Sequence, residues 1–399
     1  MAAGLGFKDF VTGEVLTAAD VDGYLMQGIW VFANATARDA AVTSPQEGNA
    51  CYLKDTDAVM TYNGSAWVLA SAPASYGYAA GKNAIINGAF NVWQRGTSIS
   101  LTNNTYGYGA DRFIAYLSFS AGTSSFSQQT FTPGTAPVAG YEGQYFGRIT
   151  CGSTSSYLEL NQRIEDVRTF AGQTVTFSFW AKSSAAIVIT PLFNQQFGSG
   201  GSTTVSTSAS NITLTSSWVR YTSTIALPSI SGKTIGTNSY LNASMTYASG
   251  TLNSATIDIW GWQVEAGSTA TAFQTATGTI QGELAACQRY FYRTTFNKYQ
   301  CWARDTNLIF FNFRNPVTMR GNPSVSTSLT SKIATGPSTI AQVMFYYGSS
   351  IAGTATLTLG TDSATTDAVT VYFSGASFTQ GVIPTAEVAG GYFDVSAEL

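Results

Sequence analysis

The sequence predicts a mainly β protein, and its composition carries that prediction. Of its 399 residues, 13% are aromatic and only 10% are charged, against roughly 25% charged residues in an average globular protein. Serine, threonine and glycine fill the places that charged residues would occupy, and such a composition favours strands over helices. A disordered chain would lack the aromatic residues. We therefore expect a folded, strand-rich chain with two or three separate cores.

Net charge and histidine content exclude several classes of function. The formal net charge is -3 at pH 7, and the basic residues are scattered. The chain therefore lacks the basic patch that binds nucleic acid or an anionic membrane surface. It contains no histidine, which excludes serine–histidine and cysteine–histidine catalysis and imidazole zinc sites. We expect no cofactor, no metal site and no enzymatic activity.

The N-terminus and the cysteines indicate where the chain is made. Residues 1–8 lack the basic and apolar regions of a signal peptide. No stretch approaches about 18 consecutive apolar residues, so no membrane insertion is expected. Cys51, Cys151, Cys287 and Cys301 show no Cys-x-x-Cys spacing and are predicted to be buried thiols in a reducing cytoplasm. A bridge between the last two, across a hairpin, stays open.

Residues 1–42 carry the helical signals of the chain. Thr17 precedes Asp20 by three positions, which is an N-cap pattern, and apolar residues follow at helical spacing. A second cap pattern begins at Thr36. Two short helices are therefore predicted on either side of the apolar residues 29–32. The apolar stripe is too short to be stable alone and needs partner chains.

Residues 43–70 predict a small β-meander. Three short strand patterns are separated by turns, and Asn63-Gly64-Ser65 between two of them is a strong hairpin signal. A meander of about 25 residues cannot bury enough surface to fold independently. It is therefore expected to exist only where several copies pack together. Residues 71–83 follow as a linker of small residues.

Residues 84–275 are predicted to form one large, jelly-roll-like β-sandwich. In the clearest strand Val175, Phe177 and Phe179 alternate with other side chains and share one face. Many short strands separated by Gly/Ser/Asn loops are typical of such a sandwich. Residues 276–399 are again β-patterned and are predicted to form a second, smaller, distal β-sandwich.

Several motifs resemble a known family. The residues Asn-Gly-Ala-Phe-Asn-Val-Trp-Gln-Arg-Gly-Thr, with Ala-Asp-Arg-Phe shortly after, resemble the opening of the carbohydrate-binding-module-like β-sandwich in tail fibre proteins of tailed bacteriophages. Other segments resemble the closing strand of that module, the start and a later element of the distal domain, and two virion-proximal parts. The opening motifs are Asn87–Thr97 and Ala110–Phe113, and the closing strand is Gln263–Phe273. The start of the distal domain is Cys287–Phe291, and its later element is Pro316–Pro323. The two virion-proximal parts are Gly13–Val21 and Pro45–Trp67.

The resemblance implies a homotrimeric fibre in the virion tail. Its N-terminus would attach to other tail, baseplate or adaptor proteins, and its distal β-domains would bind a host cell-surface glycan. The motif residues Trp93, Arg95, Asp111, Arg112 and Arg289 are interpreted as structural. Asp111 and Arg112 are expected to form a buried pair that locks the first strand, with ligand contact as the alternative. Arg95 is expected to stack or to bond backbone carbonyls.

Glycan binding requires aromatic faces for sugar C–H groups and planar polar side chains for hydroxyl groups. In the distal domain, aromatic residues near arginine, aspartate and glutamine are favoured, although core packing is the alternative for each. The predicted ligand-binding residues there are Tyr299, Trp302, Arg304, Tyr346 and Tyr347. In the central sandwich Trp180, Trp260 and Trp262 are further candidates, the last two on one strand face.

Two other functions stay open from the sequence. A virion-associated polysaccharide depolymerase needs two carboxylates about 5–10 Å apart across a groove. Glu159 and Glu165 are among the available acids, but no pairing stands out. The other alternative is a purely structural fibre on the head or neck that never touches a receptor.

Overall fold

The fold is mainly β, as predicted, in this computed structural model of the chain. The chain divides into two compact units, Met1–Tyr78 and Ala79–Leu399. No helix within the described ranges is long and apolar enough to cross a membrane. The structure describes residues 12–21, 28–70, 81–138, 141–295, 299–300, 302–303, 308–327, 342–347, 350–356, 358–374, 385–387 and 392–399.

The first unit is built on a four-stranded sheet, in the order β1-β2-β3-β4. Strand β1 runs parallel to β2, and the other pairs are antiparallel. The sheet thus combines a strand of the predicted attachment segment with the predicted meander. The elements are α1 (Ala18–Asp20), β1 (Trp30–Phe32), α2 (Ala35–Ala41), β2 (Ala50–Leu53), β3 (Ala58–Tyr62) and β4 (Trp67–Leu69).

Side-chain caps begin both helices of this unit. Thr17 caps α1 as predicted, because its Oγ1 accepts a hydrogen bond from the backbone N–H of Asp20 at 3.1 Å. The cap predicted at Thr36 is wrong. Helix α2 begins earlier, since Asn34 Oδ1 accepts the backbone N–H of Ala37 at 2.9 Å and satisfies one of the first free donors.

The predicted hairpin joins β3 to β4, and the core beneath it is small. Asn63 Oδ1 accepts two backbone N–H bonds, and Gly64 has a φ of +90°, which glycine adopts without strain. Of the hydrophobic side chains that the structure describes in this unit, Val42, Cys51 and Leu53 are buried. One copy therefore buries little apolar surface.

The second unit contains a sandwich of two antiparallel sheets. The seven-stranded sheet has the order β13-β12-β16-β10-β7-β6, with β14 beside β12, and the six-stranded sheet has the order β15-β11-β17-β9-β8-β5. The strands are β5 (Ser98–Leu101), β6 (Thr105–Tyr108), β7 (Phe113–Phe119), β8 (Ser124–Thr130), β9 (Tyr145–Thr150), β10 (Ser155–Glu165), β11 (Thr174–Ser183), β12 (Ile187–Gln196), β13 (Val205–Ser208), β14 (Ile212–Leu214), β15 (Val219–Ala226), β16 (Tyr240–Gly250) and β17 (Thr256–Ala266).

One continuous core fills the space between these sheets. Val175, Phe177 and Phe179 of β11 all belong to it, which confirms their predicted shared face. From the other sheet Phe193 enters the same core, with its ring centroid 5.9 Å from that of Phe177. Full burial of such a side chain stabilises the fold by about 1.5–3 kcal/mol.

A β-bulge in β17 places Trp260 and Trp262 on opposite faces, so their predicted shared face is wrong. Trp262 lies in the core between the sheets, whereas Trp260 packs with Trp180 and Phe273 in a second cluster. Gly261 between them has a φ of +67°, and the register against β11 shifts at this point. The extra residue of a bulge reverses the alternation of the strand.

Helix α3 and three small sheets follow the sandwich within the described part of the chain. The sheets have the orders β18-β28-β22, β19-β27-β23-β24 and β20-β21-β26-β25. The elements are α3 (Ile280–Gln288), β18 (Phe291–Thr295), β19 (Tyr299–Gln300), β20 (Trp302–Ala303), β21 (Leu308–Arg314), β22 (Ser324–Thr327), β23 (Gln342–Tyr347), β24 (Ser350–Thr356), β25 (Thr358–Ala364), β26 (Ala368–Ser374), β27 (Thr385–Glu387) and β28 (Tyr392–Ser396).

The cysteines that the structure describes are buried, free thiols, as predicted. These are Cys51, Cys151 and Cys287. The bridge to Cys301 that the sequence left open is not formed, because the Cys287 thiol is free, and Cys301 itself lies outside the described residues. Burial raises the pKa of Cys151 to about 12, so this thiol stays protonated and unreactive at neutral pH.

Replacing Gly261 by alanine tests the bulge. The added Cβ would stand 2.6 Å from Trp180 Cε3 at a left-handed backbone position, so we expect the free energy of unfolding to fall by about 2–4 kcal/mol. Gly267→Ala is the control, because Gly267 has a φ of +103° but no atom within 4 Å of the added Cβ. Its loss should be about 1 kcal/mol. Equal losses in urea unfolding would contradict the packing role of the bulge.

Candidate functional site

The motif residues of the sequence meet at a junction between the sandwich and the C-terminal part of the chain. Arg112 is 2% exposed and its guanidinium lies 3.5 Å from the centroid of the Tyr290 ring. It forms an ion pair with Glu398 and donates to the carbonyl oxygen of Arg163 at 2.6 Å. Its partner is therefore Glu398. The buried pair with the neighbouring Asp111, which the sequence predicted, is not formed. At this turn, where Arg112 has a φ of +73°, the two side chains diverge.

Arg95 and Trp93 lie at the same junction. The Arg95 guanidinium stacks on Phe291 at 3.5 Å and lies over Tyr108 at 4.6 Å. It also donates to Glu398 at 3.1 Å. Arg95 thus stacks on aromatic rings, which is one of the two roles predicted from the sequence. Its hydrogen-bond partner is the carboxylate of Glu398, whereas the sequence predicted backbone carbonyls. Trp93 packs against the sandwich core, and its Nε1 donates to a backbone carbonyl at 2.7 Å.

Arg289 fastens the C-terminal part of the chain to β10. Its guanidinium donates to both carboxylate oxygens of Glu165 at 3.1 Å, and the hydroxyl of Tyr290 donates to the same carboxylate at 2.9 Å. Arg289 and Glu165 are about 40% exposed, at 41% and 39%, so this ion pair contributes no more than about 1 kcal/mol. All five motif residues thus make contacts within the fold.

Asp111 is a buried carboxyl group within the junction. It accepts the backbone N–H of Gln94 at 2.9 Å, and the Arg95 guanidinium lies 3.9 Å away. Burial raises the pKa of Asp111 to about 6, although the bonds from Gln94 and the charge of Arg95 lower it in part. The folded chain therefore binds a proton here more tightly than the unfolded chain, whose Asp has a pKa near 4.

The predicted distal binding residues are divided between two sheets. Tyr299 lies in β19, and Tyr346 and Tyr347 lie in β23 of the same four-stranded sheet. Trp302 lies in β20 of another sheet. Arg304 lies outside the described residues. The distal site therefore stays a prediction.

The tryptophans proposed as ligand platforms in the sandwich are buried. Trp180 is 7% exposed, and Trp260 and Trp262 are each 0% exposed. All three pack against other rings, such as Phe273 and Phe177. Core packing, the alternative that the sequence left open, is their role.

A different surface gathers the side chains that a ligand site needs. Strand β10 alternates, so that Leu158 and Leu160 enter the core while the residues between them point away from it. Their cross-strand neighbours on β7 and β16 share this orientation. We call this side of the sheet the outer face; it consists of Tyr106, Tyr116, Tyr157, Glu159, Asn161, Arg163, Asn242, Ser244 and Thr246. Asn161, Asn242, Ser244 and Thr246 are buried, and the others are exposed or half-buried.

Three tyrosines form an aromatic platform at one side of the outer face. The ring centroids of Tyr106 and Tyr116 are 4.9 Å apart, and those of Tyr116 and Tyr157 are 5.9 Å apart. Tyr106 is 51% exposed, and the other two are partly buried. The platform lies on three adjacent strands, β6, β7 and β10. It presents a flat, partly apolar surface with a hydroxyl group at each rim.

A polar network continues directly from the platform. Glu159 lies opposite Tyr116 on one side and Thr246 on the other. Its Oε1 accepts hydrogen bonds from Asn161 Nδ2 at 2.9 Å and from Ser244 Oγ at 3.1 Å. Ser244 in turn accepts a bond from Asn242 Nδ2 at 2.8 Å. These bonds hold the four polar side chains in one arrangement before any ligand binds.

Two oxygens of this network have no hydrogen-bond partner. Asn161 Oδ1 and Asn242 Oδ1 are both buried and unpaired, and their side chains are held by the donor bonds of the amide nitrogens. An unpaired buried acceptor costs about 1–3 kcal/mol. Because both oxygens are shielded from solvent, a buried water molecule is the partner that can restore the missing bond.

The charges of the outer face are arranged unevenly. Burial, and then the charge of Glu159, raise the pKa of Tyr157 to about 12, and the same causes raise the pKa of Tyr106. Both phenols are therefore neutral donors at physiological pH. At the other end of the face, Arg163 lies 5.0 Å from the Tyr240 ring and donates to the backbone oxygen of Leu399.

Sequence reasoning missed the outer face, although a signal was present. Tyr157, Glu159, Asn161 and Arg163 occupy alternate positions of one strand, with leucines between the first three. This period of two indicates one polar and aromatic face over a core. The partners on β16 could not be inferred in the same way, because their pairing depends on the register.

Comparison with known proteins gives structural neighbours alone. No protein-family model and no curated protein sequence matches the chain. The structural neighbours include a phage tailspike domain and several carbohydrate-binding modules with β-sandwich folds.

The enzymatically active domain of tailspike protein 4 of bacteriophage CBA120 is 13% identical with a TM-score of 0.30, over 46% of this chain and 21% of that chain. The module TmCBM61, solved with β-1,4-galactotriose, is 11% identical with a TM-score of 0.27, over 46% of this chain and 99% of that chain. The N-terminal cellulose-binding domain of Cellulomonas fimi β-1,4-glucanase C is 12% identical with a TM-score of 0.27, over 46% and 95%. Such low scores carry no argument about function.

The pH dependence of stability tests the buried state of Asp111. The pKa of Asp111 is higher in the folded chain than in the unfolded chain, so binding of a proton to this carboxyl group stabilises the fold. This contribution is complete below pH 4 and is lost as the pH rises through 6. Between pH 5 and pH 7 the free energy of unfolding should therefore fall by about 1 kcal/mol on account of this group. Thermal melts of the wild type and Asp111→Asn at both pH values measure the difference. A variant with the same pH dependence as the wild type would show that Asp111 does not titrate in this range.

Proposed function

We propose that this chain is a tail fibre protein of a tailed bacteriophage that binds a host cell-surface glycan. The outer face of the central sandwich is its glycan site, in addition to the predicted distal site. The observation that carries the proposal is the cross-strand pairing of Glu159 with Tyr116, which places a fixed Glu–Asn–Ser network beside a partly exposed tyrosine platform on the same sheet.

The chemistry of a sugar ring matches this arrangement. One face of a hexose presents C–H groups, which pack on aromatic rings, while its rim presents hydroxyl groups that need polar partners in fixed directions. Tyr106 and Tyr116 supply the rings. Glu159, which lies directly opposite Tyr116 on the neighbouring strand, supplies an acceptor for these hydroxyl groups. Because the network is already bonded internally, binding orders few additional side chains.

The proposed activity is binding without cleavage. Glycoside hydrolysis needs a second carboxylate about 5–10 Å from the first. Within the outer face Glu159 is the carboxylate. Glu165 lies six residues further along β10, which is about 20 Å in a strand, and it is engaged by Arg289. This arrangement favours the non-enzymatic fibre over a depolymerase.

Substitution of Tyr106 tests the glycan site. We expect Tyr106→Ala to weaken glycan binding about tenfold, which corresponds to about 1.4 kcal/mol for the loss of an aromatic residue that anchors the ligand, while Tyr106→Phe should retain most of the affinity. Tyr145→Ala, on β9 of the other sheet, is the matched control.

The measurement begins with the full chain on host envelope polysaccharide and on a glycan array, and continues with calorimetry on the best ligand. New reducing ends in the same incubation would favour the depolymerase. Equal affinities of Tyr106→Ala, Tyr145→Ala and the wild type would remove the outer face as the site.

We further propose that the chain works as a homotrimer in the virion tail and attaches to other tail proteins through the first unit. The small core of that unit supports this proposal, together with its exposed apolar side chains. Val15 is 81% exposed, and Ile29 and Val31 are each 57% exposed. Association of copies covers such side chains and supplies the apolar burial that one copy lacks.

Light scattering tests the trimer. We expect a solution mass three times that of the chain, and Val31→Asp should lower it, because an interface excludes an unpaired carboxylate. Thr43→Asp, at another exposed position of the same unit, is the control and should keep the wild-type mass. A wild-type protein that is monomeric at micromolar concentration would contradict the proposal.

A further inference from the structure

The charged side chains of the outer face are Glu159 and Arg163. Arg163 is engaged at the end of the face, where it donates to the backbone oxygen of Leu399 and lies over the Tyr240 ring. Glu159 lies in the middle, opposite Tyr116 and Thr246. The charged side chain beside the Tyr116 ring is therefore negative, whereas Arg163 lies further along the strand.

The acceptor that the network leaves for a ligand is Oε2 of Glu159. The hydrogen bonds from Asn161 and Ser244 end on Oε1 of this carboxylate, whereas the unpaired oxygens of Asn161 and Asn242 are buried. Acceptors need donors, and a sugar hydroxyl group can donate. A sugar carboxylate, sulfate or phosphate group can only accept at neutral pH, so it meets oxygens that it cannot bond.

The charge of Glu159 extends over the tyrosine platform. It contributes to the raised pKa values of Tyr157 and Tyr106, after the larger effect of burial, and at Tyr106 the positive charge of Arg163 opposes it in part. An anionic group stacked on these rings would lie within the same field. Two like charges at such short separation repel each other, and the repulsion is screened by salt.

We infer, on the basis of the proposed function, that Glu159 makes this face selective for neutral glycans and rejects acidic ones. Glu159 then acts as a specificity-determining residue, and the tyrosines supply affinity that does not depend on ligand charge. The ligand class is a neutral, hydroxyl-rich sugar chain; uronic acids, sialic acids and sulfated sugars are excluded.

Paired glycans test this inference on the full chain. The probe is an array that carries neutral glycans together with their sialylated, uronic-acid and sulfated counterparts. We expect the wild type to bind the neutral member of each recognised pair at least about tenfold more tightly. Glu159→Gln should bring the two affinities within a few-fold of each other, and 1 M NaCl should narrow the wild-type difference.

Two variants serve as controls. Glu142→Gln removes one negative charge from an exposed position outside the outer face and should leave the selectivity unchanged. Tyr106→Ala should weaken neutral and acidic binding alike. Glutamine retains an oxygen for the Asn161 and Ser244 donors, so Glu159→Gln should melt within a few degrees of the wild type.

The outcomes separate the two proposals. A wild type that binds acidic glycans as tightly as neutral ones, or a Glu159→Gln variant with unchanged selectivity, overturns the inference while the glycan site stands. A wild type that binds no glycan overturns both. If Glu159→Gln loses all binding, the variant gives no selectivity. The ratio of the wild-type affinities for neutral and acidic glycans then decides whether the inference stands.

Discussion

The alternation of β10 from Tyr157 to Glu165 is the constraint on which the second unit depends. Leu158 and Leu160 point into the core between the sheets, and Tyr157, Glu159 and Asn161 therefore point outward. Further along the same strand, Glu165 holds Arg289 of the C-terminal part. A shift of one residue in the register would move every one of these side chains to the wrong face. Core, outer face and junction are thus fixed by one strand.

The junction has a different energetic character from the core. Arg112 is 2% exposed, and a buried charge is stable only when a partner and hydrogen bonds replace water. Glu398, the carbonyl of Arg163 and the Tyr290 ring supply these contacts. Removing one member of such a set leaves the other charge uncompensated, which costs more than the intact pair contributes. The junction therefore favours one specific docking geometry over many weak ones.

Local sequence patterns predicted the structural features that depend on local interactions. The alternation around Phe177, the cap at Thr17 and the hairpin at Asn63 depend on neighbours within a few positions, and all three were predicted correctly. The shared face of Trp260 and Trp262 failed because one left-handed glycine inserts a residue into the strand. The partner of Arg112 is 286 residues away in sequence, and no local pattern encodes such a distance. The polar partners of Glu159 on β16 were inaccessible for the same reason.

The proposed glycan site shows how a chain so poor in charge would select among ligands. Hydroxyl and amide groups bind sugars without strong fields, so a single carboxylate near the aromatic platform has a large relative effect. The bonds from Asn161 and Ser244 fix that carboxylate, and the core beneath β10 fixes the strand. A ligand at the proposed site would therefore meet a carboxylate held in one position, and the proposed discrimination would arise from rigidity as much as from sign.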